Sequence, residues 1–170
     1  MDKHYLFPGY VFASRKPYVV DTILGSCVAV TLWDDVLRFG SINHFMLPRW
    51  NGEGEPTFKY GDVAIAEIVK LMEYMGSDKE HLKAKVFGGS EITSPKSVYN
   101  IGERNVNTAR QTLLDYDIPV VSFSIGGGLG RKLVFNSYTG EVLIKFIQKG
   151  VETAPTNFEL INHIWNERKN

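Results

Sequence analysis

Runs of β-branched and aromatic residues predict several short strands near the start of the chain. Tyr18–Leu24 and Val28–Trp33 have this composition, which favours extended structure. Gly25-Ser26-Cys27 separates them, and Arg38–Met46 forms a third run of the same kind. Asp34-Asp35 is typical of a turn, because short acidic side chains accept hydrogen bonds from nearby backbone N–H groups. Val28–Trp33 and Arg38–Met46 are therefore predicted to pair as an antiparallel hairpin.

Apolar positions at three- and four-residue steps predict two helices farther along the chain. The first is expected to begin at an N-cap, Asp62, and to end at Gly76. Its apolar face comprises Ile65, Ile68, Val69, Met72 and Met75. The second spans Arg104–Tyr116 and buries Val106, Ala109, Leu113 and Leu114. Further strands are expected at Lys85–Phe87, Val120–Ile125, Lys132–Asn136 and Glu141–Ile147.

Many short strands, two main helices and a mostly antiparallel order predict an α+β fold in which helices pack on sheets. We assign residues 1–150 to this single domain. Residues 151–170 are assigned to a C-terminal extension, within which Asn157–Asn170 is expected to form a short helix. One side of that helix would carry Leu160, Ile161, Ile164 and Trp165.

Composition narrows the classes of function. The chain has 170 residues, and 19 Lys and Arg balance 19 Asp and Glu, so its formal net charge is zero. No basic excess is available to neutralise phosphates, which argues against a general nucleic-acid binder. Cys27 is the only cysteine, so no disulfide can form within the chain. No apolar run reaches the ~20 residues that span a bilayer. We expect a soluble cytoplasmic protein in a reducing compartment.

Cys27 and His44 are the candidates for catalysis. Cys27 follows Gly25-Ser26 at a sharp break between two apolar runs, where the backbone N–H groups of Ser26 and Cys27 could form an oxyanion hole. A hairpin centred near residues 35–36 pairs positions whose numbers sum to 71, which sets Cys27 opposite His44. A thiol with an imidazole base is a nucleophile, since the base favours thiolate at neutral pH. The alternative is a buried structural cysteine and a half-buried strand histidine.

A third group should hold the imidazole in one tautomer. Asp21, Thr22 and Ser41 are each close in sequence to one member of the pair. Asn43 is expected to point to the opposite face from His44, because side chains alternate along a strand. The residues by themselves leave Asp21, Thr22 and Ser41 open.

The other polar and glycine-rich features favour structural roles. Gly126–Gly130 is followed by strand residues rather than a helix, so a turn that lets two backbones approach is favoured over a phosphate-binding loop. Gly88-Gly89 and Gly102 are interpreted in the same way. The remaining histidines do not have metal-ligand spacing, and we predict neither a metal nor a cofactor. They are His4, His81 and His163.

Six motifs lie in order between Tyr5 and Ile147. They are Thr22–Val30 (TILGSCVAV), Asn43–Pro48 (NHFMLP), Lys59–Ile65 (KYGDVAI), Val86–Gly89 (VFGG), Ile101–Asn105 (IGERN) and Gly126–Lys132 (GGGLGRK). Together they resemble the signature of the chemoreceptor glutamine deamidases, the CheD family. The resemblance implies an α/β sandwich related to bacterial glutamine-deamidating toxins. It also implies a catalytic set of Cys27 as nucleophile, His44 as base and Thr22 as third member, with Asp21 as the alternative to Thr22.

The same resemblance implies a function and its partners. Family members convert specific glutamine side chains in the cytoplasmic helices of methyl-accepting chemotaxis receptors to glutamate, through a cysteine thioester and with release of ammonia. They also bind the CheC-type phosphatase of phosphorylated CheY. Two other interpretations remain: a non-enzymatic module that regulates the phosphatase by binding alone, and another Cys–His acyl-transfer enzyme. Phe45, Trp50 and Phe58 are expected to help dock a receptor helix.

Overall fold

The computed structural model describes residues 1–91 and 100–148. The extension at 151–170, with its expected helix, lies outside these residues. The strands are β1 Asp2–Tyr5, β2 Val11–Ser14, β3 Tyr18–Leu24, β4 Val28–Asp34, β5 Phe39–Asn43, β6 Leu82–Gly88, β7 Val120–Ile125, β8 Gly130–Asn136 and β9 Val142–Ile147. The helices are α1 Gly61–Tyr74 and α2 Ile101–Asp115, with a short 3₁₀ turn at Lys79–His81. No helix in the described part of the chain is long and apolar enough to cross a membrane.

The strands form two sheets. One has the order β1-β3-β8-β9, and the other has the order β2-β5-β4-β6-β7. β1 pairs with β3 in parallel, as β6 does with β7, whereas the remaining pairs are antiparallel. The predicted α+β fold, with mostly antiparallel sheets and two main helices, is confirmed.

Alternation along β4 divides the core into two apolar layers. Val28 and Val30 pack with residues of α1 and α2, while Ala29 packs with Leu24 of β3 and Phe135 of β8. The five-stranded sheet is therefore covered by helices on one face and by the four-stranded sheet on the other. This sandwich leaves a narrow layer between the sheets, and side chains from β3, β4 and β5 meet there.

The ends of α1 are set by its neighbours. The N-cap is Tyr60, so the prediction of Asp62 as N-cap is wrong. A Cβ on Gly61 would lie 2.7 Å from the Phe45 ring, so the helix begins where it packs against the core. Asp62 instead accepts a hydrogen bond from the Trp50 N–H at 3.0 Å. The C-cap is Met75, one residue before the predicted C-cap Gly76. Gly76 follows it with φ +105°, a conformation that suits glycine.

The glycine motifs have two different physical roles. A Cβ on Gly102 would lie 2.4 Å from the Gly89 carbonyl oxygen, which confirms the close backbone approach expected there. Because this contact seats the helix, α2 begins at Ile101 and not at Arg104 as predicted. A Cβ on Gly126 or Gly127 would meet nothing within 4 Å, but the φ angles of these residues are +75° and +77°. The expected approach of two backbones is present, because the Gly126 N–H donates to the Gly88 carbonyl and the Glu91 N–H donates to the Gly127 carbonyl, both at 2.9 Å. The two glycines themselves are needed there for turn geometry.

Candidate active site

Cys27 lies where the chain crosses from one sheet to the other. β3 belongs to the four-stranded sheet and β4 to the five-stranded sheet, with Gly25-Ser26-Cys27 between them. The loop after β6 holds this turn: the Ser90 N–H donates to the Gly25 carbonyl at 3.0 Å, and the Gly89 N–H donates to the Cys27 carbonyl at 2.9 Å. Cys27 is half-buried and packs against the layer between the sheets. A cysteine is thus fixed at an edge of the core with part of its surface open.

β4 and β5 form the predicted antiparallel hairpin. Thr31 lies opposite Ile42, and regular strand structure ends at Asn43 rather than at Met46. The pairing nevertheless continues as an isolated bridge between Val28 and Phe45, whose N–H groups donate to each other's carbonyls at 3.1 and 2.9 Å. The residue numbers of paired positions therefore sum to 73 throughout.

This register places Cys27 and His44 diagonally. Ala29 lies opposite His44, and Cys27 lies opposite Met46. The predicted direct pairing of Cys27 with His44 is therefore wrong, because the true partner of Cys27 lies two residues farther along the chain. Positions two residues apart on one strand share a face of the sheet. A diagonal pair of this kind remains within reach of long side chains. The hairpin thus brings thiol and imidazole to the same corner of the layer between the sheets.

Thr22 fixes the tautomer of His44. Its hydroxyl lies 2.7 Å from the Leu6 carbonyl oxygen and 2.8 Å from His44 Nδ1. A carbonyl can only accept, and a hydroxyl has one hydrogen, so Thr22 donates to Leu6 and accepts from Nδ1–H. The Nε2 atom then carries the lone pair. Nε2 is buried and has no hydrogen-bond partner among the described residues, so it is the ring atom available to act as a base.

Asp21 and Ser41 point away from this corner. Val20, Thr22 and Leu24 are buried along β3, while Asp21 lies on the other face of the strand. Burial raises the pKa of the Asp21 carboxyl, and the positive charges that oppose the rise come from Lys132, His4 and Lys3. The Ser41 hydroxyl lies 3.5 Å from a carbonyl of α1. Of the three candidates left open by the sequence, Thr22 alone contacts the imidazole.

Burial keeps both titratable groups neutral at rest. Desolvation lowers the pKa of His44 from 6.5 to about 4, because charging the ring away from water is costly. Desolvation also raises the pKa of the Cys27 thiol, and its own backbone N–H only partly opposes the rise. The thiolate expected at neutral pH is therefore not the resting state. The resting pair is a thiol and a neutral imidazole.

The turn before β4 presents backbone donors beside the sulfur. The Gly25 carbonyl accepts from Ser90, and the Ser26 carbonyl accepts from the Asn105 side chain at 3.0 Å. Because carbonyl and N–H point in opposite directions across a planar trans peptide, the N–H groups of Ser26 and Cys27 face away from these partners. Neither N–H donates to a backbone carbonyl in the described part of the chain. Sequence reasoning did not single out Asn105, although it lies in one of the six motifs.

Of the three side chains expected to dock a receptor helix, Trp50 and Phe58 are partly buried. Phe45 is fully buried in the helix-side core, so its predicted exposure is wrong. The residues that do project are Phe7, Tyr10 and Met46, with 60%, 64% and 40% of their surface exposed. The loop that carries Phe7 and Tyr10 pairs with His44 directly, since the His44 N–H donates to the Tyr10 carbonyl at 3.2 Å. We refer to Phe7, Tyr10 and Met46 as the apolar rim.

Comparisons with known proteins agree on one family. The family model described as CheD chemotactic sensory transduction matches residues 46–146. A probable chemoreceptor glutamine deamidase CheD of Trichlorobacter lovleyi is 46% identical over 143 residues, which cover 84% of this chain and 89% of that protein. The protein of the same name in Sulfurimonas denitrificans is 35% identical over 150 residues, 87% of this chain and 96% of its own.

Among solved structures, the chain is similar to the Bacillus licheniformis hypothetical protein YfiH. The TM-score is 0.42 at 15% sequence identity, and the match covers 64% of this chain and 49% of that one.

Proposed function

The chain belongs to the CheD family of chemotactic sensory transduction proteins, and on that premise we propose that it is a protein-glutamine deamidase of chemoreceptors. It hydrolyses specific receptor glutamine side chains to glutamate with release of ammonia. The observation that carries the proposal is the hydrogen-bond chain from Leu6 through Thr22 to His44, which leaves Nε2 without a partner among the described residues, on the sheet face that His44 shares with Cys27.

The first step forms a thioester on Cys27. Its sulfur attacks the carboxamide carbon of the glutamine while the thiol proton passes to His44 Nε2. Because both groups are neutral at rest, this proton transfer accompanies the attack and does not precede it. Thr22 accepts the Nδ1–H throughout, so it stabilises the imidazolium that forms and keeps Nε2 directed at the reacting atoms.

The negative charge of the tetrahedral intermediate falls on the former carboxamide oxygen. We assign its binding to the N–H groups of Ser26 and Cys27, and one such donor is worth ~3–4 kcal/mol in the transition state. The C–N bond then breaks, and the nitrogen leaves as ammonia after taking the proton from Nε2. Water attacks the thioester with Nε2 again as base. Collapse of the second intermediate returns the proton to sulfur and releases glutamate.

The apolar rim is proposed to receive the receptor helix. Phe7, Tyr10 and Met46 are exposed, and the segment that carries Phe7 and Tyr10 hydrogen-bonds the His44 backbone, so these side chains can bury apolar groups that flank the target glutamine. This contact would position the glutamine over Cys27 by burial of apolar surface. The substrate is thereby a protein segment and not free glutamine.

We further propose a cytoplasmic location and a CheC-type phosphatase as a second partner. The cytoplasmic location is supported by the substrate, since the target glutamines of this family lie in the cytoplasmic helices of receptors. It is also supported by Cys27, which has no second cysteine in the chain with which to form a disulfide. The proposal of a phosphatase partner rests on the family resemblance, and co-purification of the two proteins tests it.

Mass spectrometry of a receptor cytoplasmic fragment tests the function. Incubation with the wild-type protein should exchange NH₂ for OH at particular glutamines and release ammonia in equal amount. Cys27→Ala is the matched control, because it removes the sulfur and little else. A receptor fragment left unmodified by the wild type would refute the deamidase and favour a binding module, whereas a cleaved fragment would indicate a protease. Equal turnover by Cys27→Ala would refute the assigned nucleophile.

A further inference from the structure

We propose that Asn105 is a positioning residue that holds the oxyanion-binding peptide of the Cys27 turn in place. The inference rests on the proposed function for its biological meaning, since it assigns a residue to the same site. The inference rests on one contact: a side-chain amide on α2 joins the turn that contains the nucleophile to the segment that follows β5 and carries the base.

Asn105 makes two hydrogen bonds across the site. It is fully buried, and its Nδ2 donates to the Ser26 carbonyl at 3.0 Å and to the Met46 carbonyl at 3.1 Å. Both acceptors are carbonyl oxygens, so the amide NH₂ must face them and the flipped orientation is excluded. Oδ1 is buried with no partner in the described residues. The side chain is therefore committed to these two carbonyls.

The first bond determines where the Cys27 N–H points. Ser26 C=O and Cys27 N–H belong to one planar trans peptide, and they point in opposite directions. Fixing the carbonyl on Asn105 therefore aims the N–H away from α2 and toward the sulfur side of the turn. Rotation of that peptide would direct a carbonyl oxygen at the developing oxyanion, which would repel it. Asn105 thus sets the sign of the electrostatic field at the reaction centre.

The second bond ties that peptide to the base. Met46 lies opposite Cys27 and two residues beyond His44, so one NH₂ group spans both halves of the catalytic pair. This junction lies just beyond the Val28–Phe45 bridge, where the β4–β5 pairing ends. Asn105 adds a side-chain link at that end of the hairpin.

The position of Asn105 depends on two glycines. A side chain on Gly102 would collide with the Gly89 carbonyl, and one on Gly89 would lie 2.3 Å from Val106 Cγ2. The first turn of α2 therefore rests directly on the loop that holds the Cys27 turn. Residues three apart share one face of a helix, so Asn105 lies on the face that Gly102 seats against this loop. This contact accounts for Gly102 and Asn105 of the IGERN motif.

Two reactions of Cys27 separate an oxyanion role from a merely structural one. Acylation by p-nitrophenyl acetate passes through an oxyanion, whereas alkylation by iodoacetamide displaces iodide at a saturated carbon and forms none. Asn105→Ala should slow acylation about tenfold to a hundredfold, the range expected when a backbone donor is misplaced. Alkylation, compared at equal thiolate fraction taken from its own pH profile, should stay within about twofold of wild type, because it needs the thiolate and no oxyanion donor.

Asn136→Ala is the matched control. Asn136 is equally buried and also makes two hydrogen bonds, to the backbone N–H groups of Tyr138 and Thr139 in the β8–β9 turn. The Asn136→Ala substitution should lower the melting temperature and leave the rates of acylation and alkylation of Cys27 unchanged. If Asn105→Ala is unfolded at the assay temperature, the same two reactions are measured on Asn105→Asp, whose protonated carboxyl can make at most one of the two bonds.

The outcomes are distinct. Selective loss of acylation supports the proposal, while equal loss of both rates, or retention of both, overturns it. The receptor assay is scored separately. A wild-type protein that leaves receptor glutamines unchanged but shows the selective loss in Asn105→Ala would refute the deamidase and retain the role of Asn105.

Discussion

Replacing Thr22 with valine should lower turnover while leaving the protein folded. Valine has nearly the shape of threonine, so the change removes one hydroxyl and little volume. That hydroxyl makes a 2.7 Å bond to the Leu6 carbonyl and a 2.8 Å bond to His44 Nδ1. Both partners lose their hydrogen bond to this side chain, and the His44 ring is 1% exposed, so water does not replace the hydroxyl.

The magnitude follows from the two lost bonds. A buried polar group left unpaired costs about 1–3 kcal/mol, so the free energy of unfolding should fall by about 2–6 kcal/mol when two are affected. For catalysis, only the bond to Nδ1 matters, since it selects the tautomer with Nε2 unprotonated. Loss of about 1.4 kcal/mol or more at that bond corresponds to a tenfold or larger decrease in kcat.

Two variants on the same strand are the controls. Thr22→Ser keeps the hydroxyl and should retain most of kcat, while Asp21→Asn changes a side chain on the opposite face and should leave kcat unchanged. The assay is the initial rate of ammonia release from a receptor cytoplasmic fragment, at a temperature where circular dichroism shows every variant folded. The role of the Thr22 hydroxyl is refuted if Thr22→Val keeps more than half of the wild-type kcat, or if Asp21→Asn loses as much.

Two further predictions concern protonation. Between pH 6.5 and about 4 the unfolded chain holds a proton on His44 that the folded protein lacks, so the free energy of unfolding should fall by about 3 kcal/mol as pH falls through that window. Urea unfolding at several pH values measures this, and His44→Gln should show a flatter dependence; identical curves for the two proteins would contradict it. The second prediction is that the iodoacetamide alkylation rate of Cys27 rises with pH around a midpoint above that of an ordinary cysteine, because burial raises the thiol pKa. A midpoint below pH 7 would contradict the neutral resting pair.

The hairpin could be predicted from the sequence, but its register could not. Composition and the acidic turn were sufficient to pair β4 with β5. The turn itself is longer than its first two residues indicate, because Asp34 still pairs with Phe39 and its carboxylate accepts hydrogen bonds from the N–H groups of Val36 and Leu37. Arg38 closes the turn with φ +58°, a conformation that non-glycine residues seldom adopt. Nothing local in the sequence signals that residue.

The alternation of residues along β3 separates Thr22 from Asp21, but it does not show which of the two contacts His44. Val20, Thr22 and Leu24 alternate with Asp21 along β3, and the period of two puts Thr22 on the apolar face. Which face of β3 meets His44 is decided by the packing of the two sheets against each other. That packing is a long-range property, so strand periodicity alone left the orienting residue open.

The N-terminal strands were not predicted because their own residues carry little signal. β1 (DKHY) is polar and fully exposed, and β2 (VFAS) is four residues long. Each is stabilised by a partner far along the chain, β3 in one case and β5 in the other. Their importance lies in what they connect. Leu6 follows β1 and supplies the carbonyl that fixes the Thr22 hydroxyl, and Tyr10 precedes β2 and binds the His44 backbone.

Burial of the layer between the sheets accounts for the neutral resting state of Cys27 and His44. It also accounts for the selectivity of Cys27 toward substrates that bind the oxyanion donors. Burial raises the pKa of Cys27 and lowers that of His44, so both changes oppose the ion pair. A neutral thiol reacts slowly with oxidants and with stray electrophiles, which protects a cysteine that is half-open to solvent. Charge separation becomes favourable only when sulfur attacks the carboxamide, because the negative charge then lies on the carboxamide oxygen, where the Cys27 N–H binds it. Acyl transfer is therefore coupled to occupation of the peptide that Asn105 orients, and a substrate that cannot place its carbonyl there should acylate the thiol slowly.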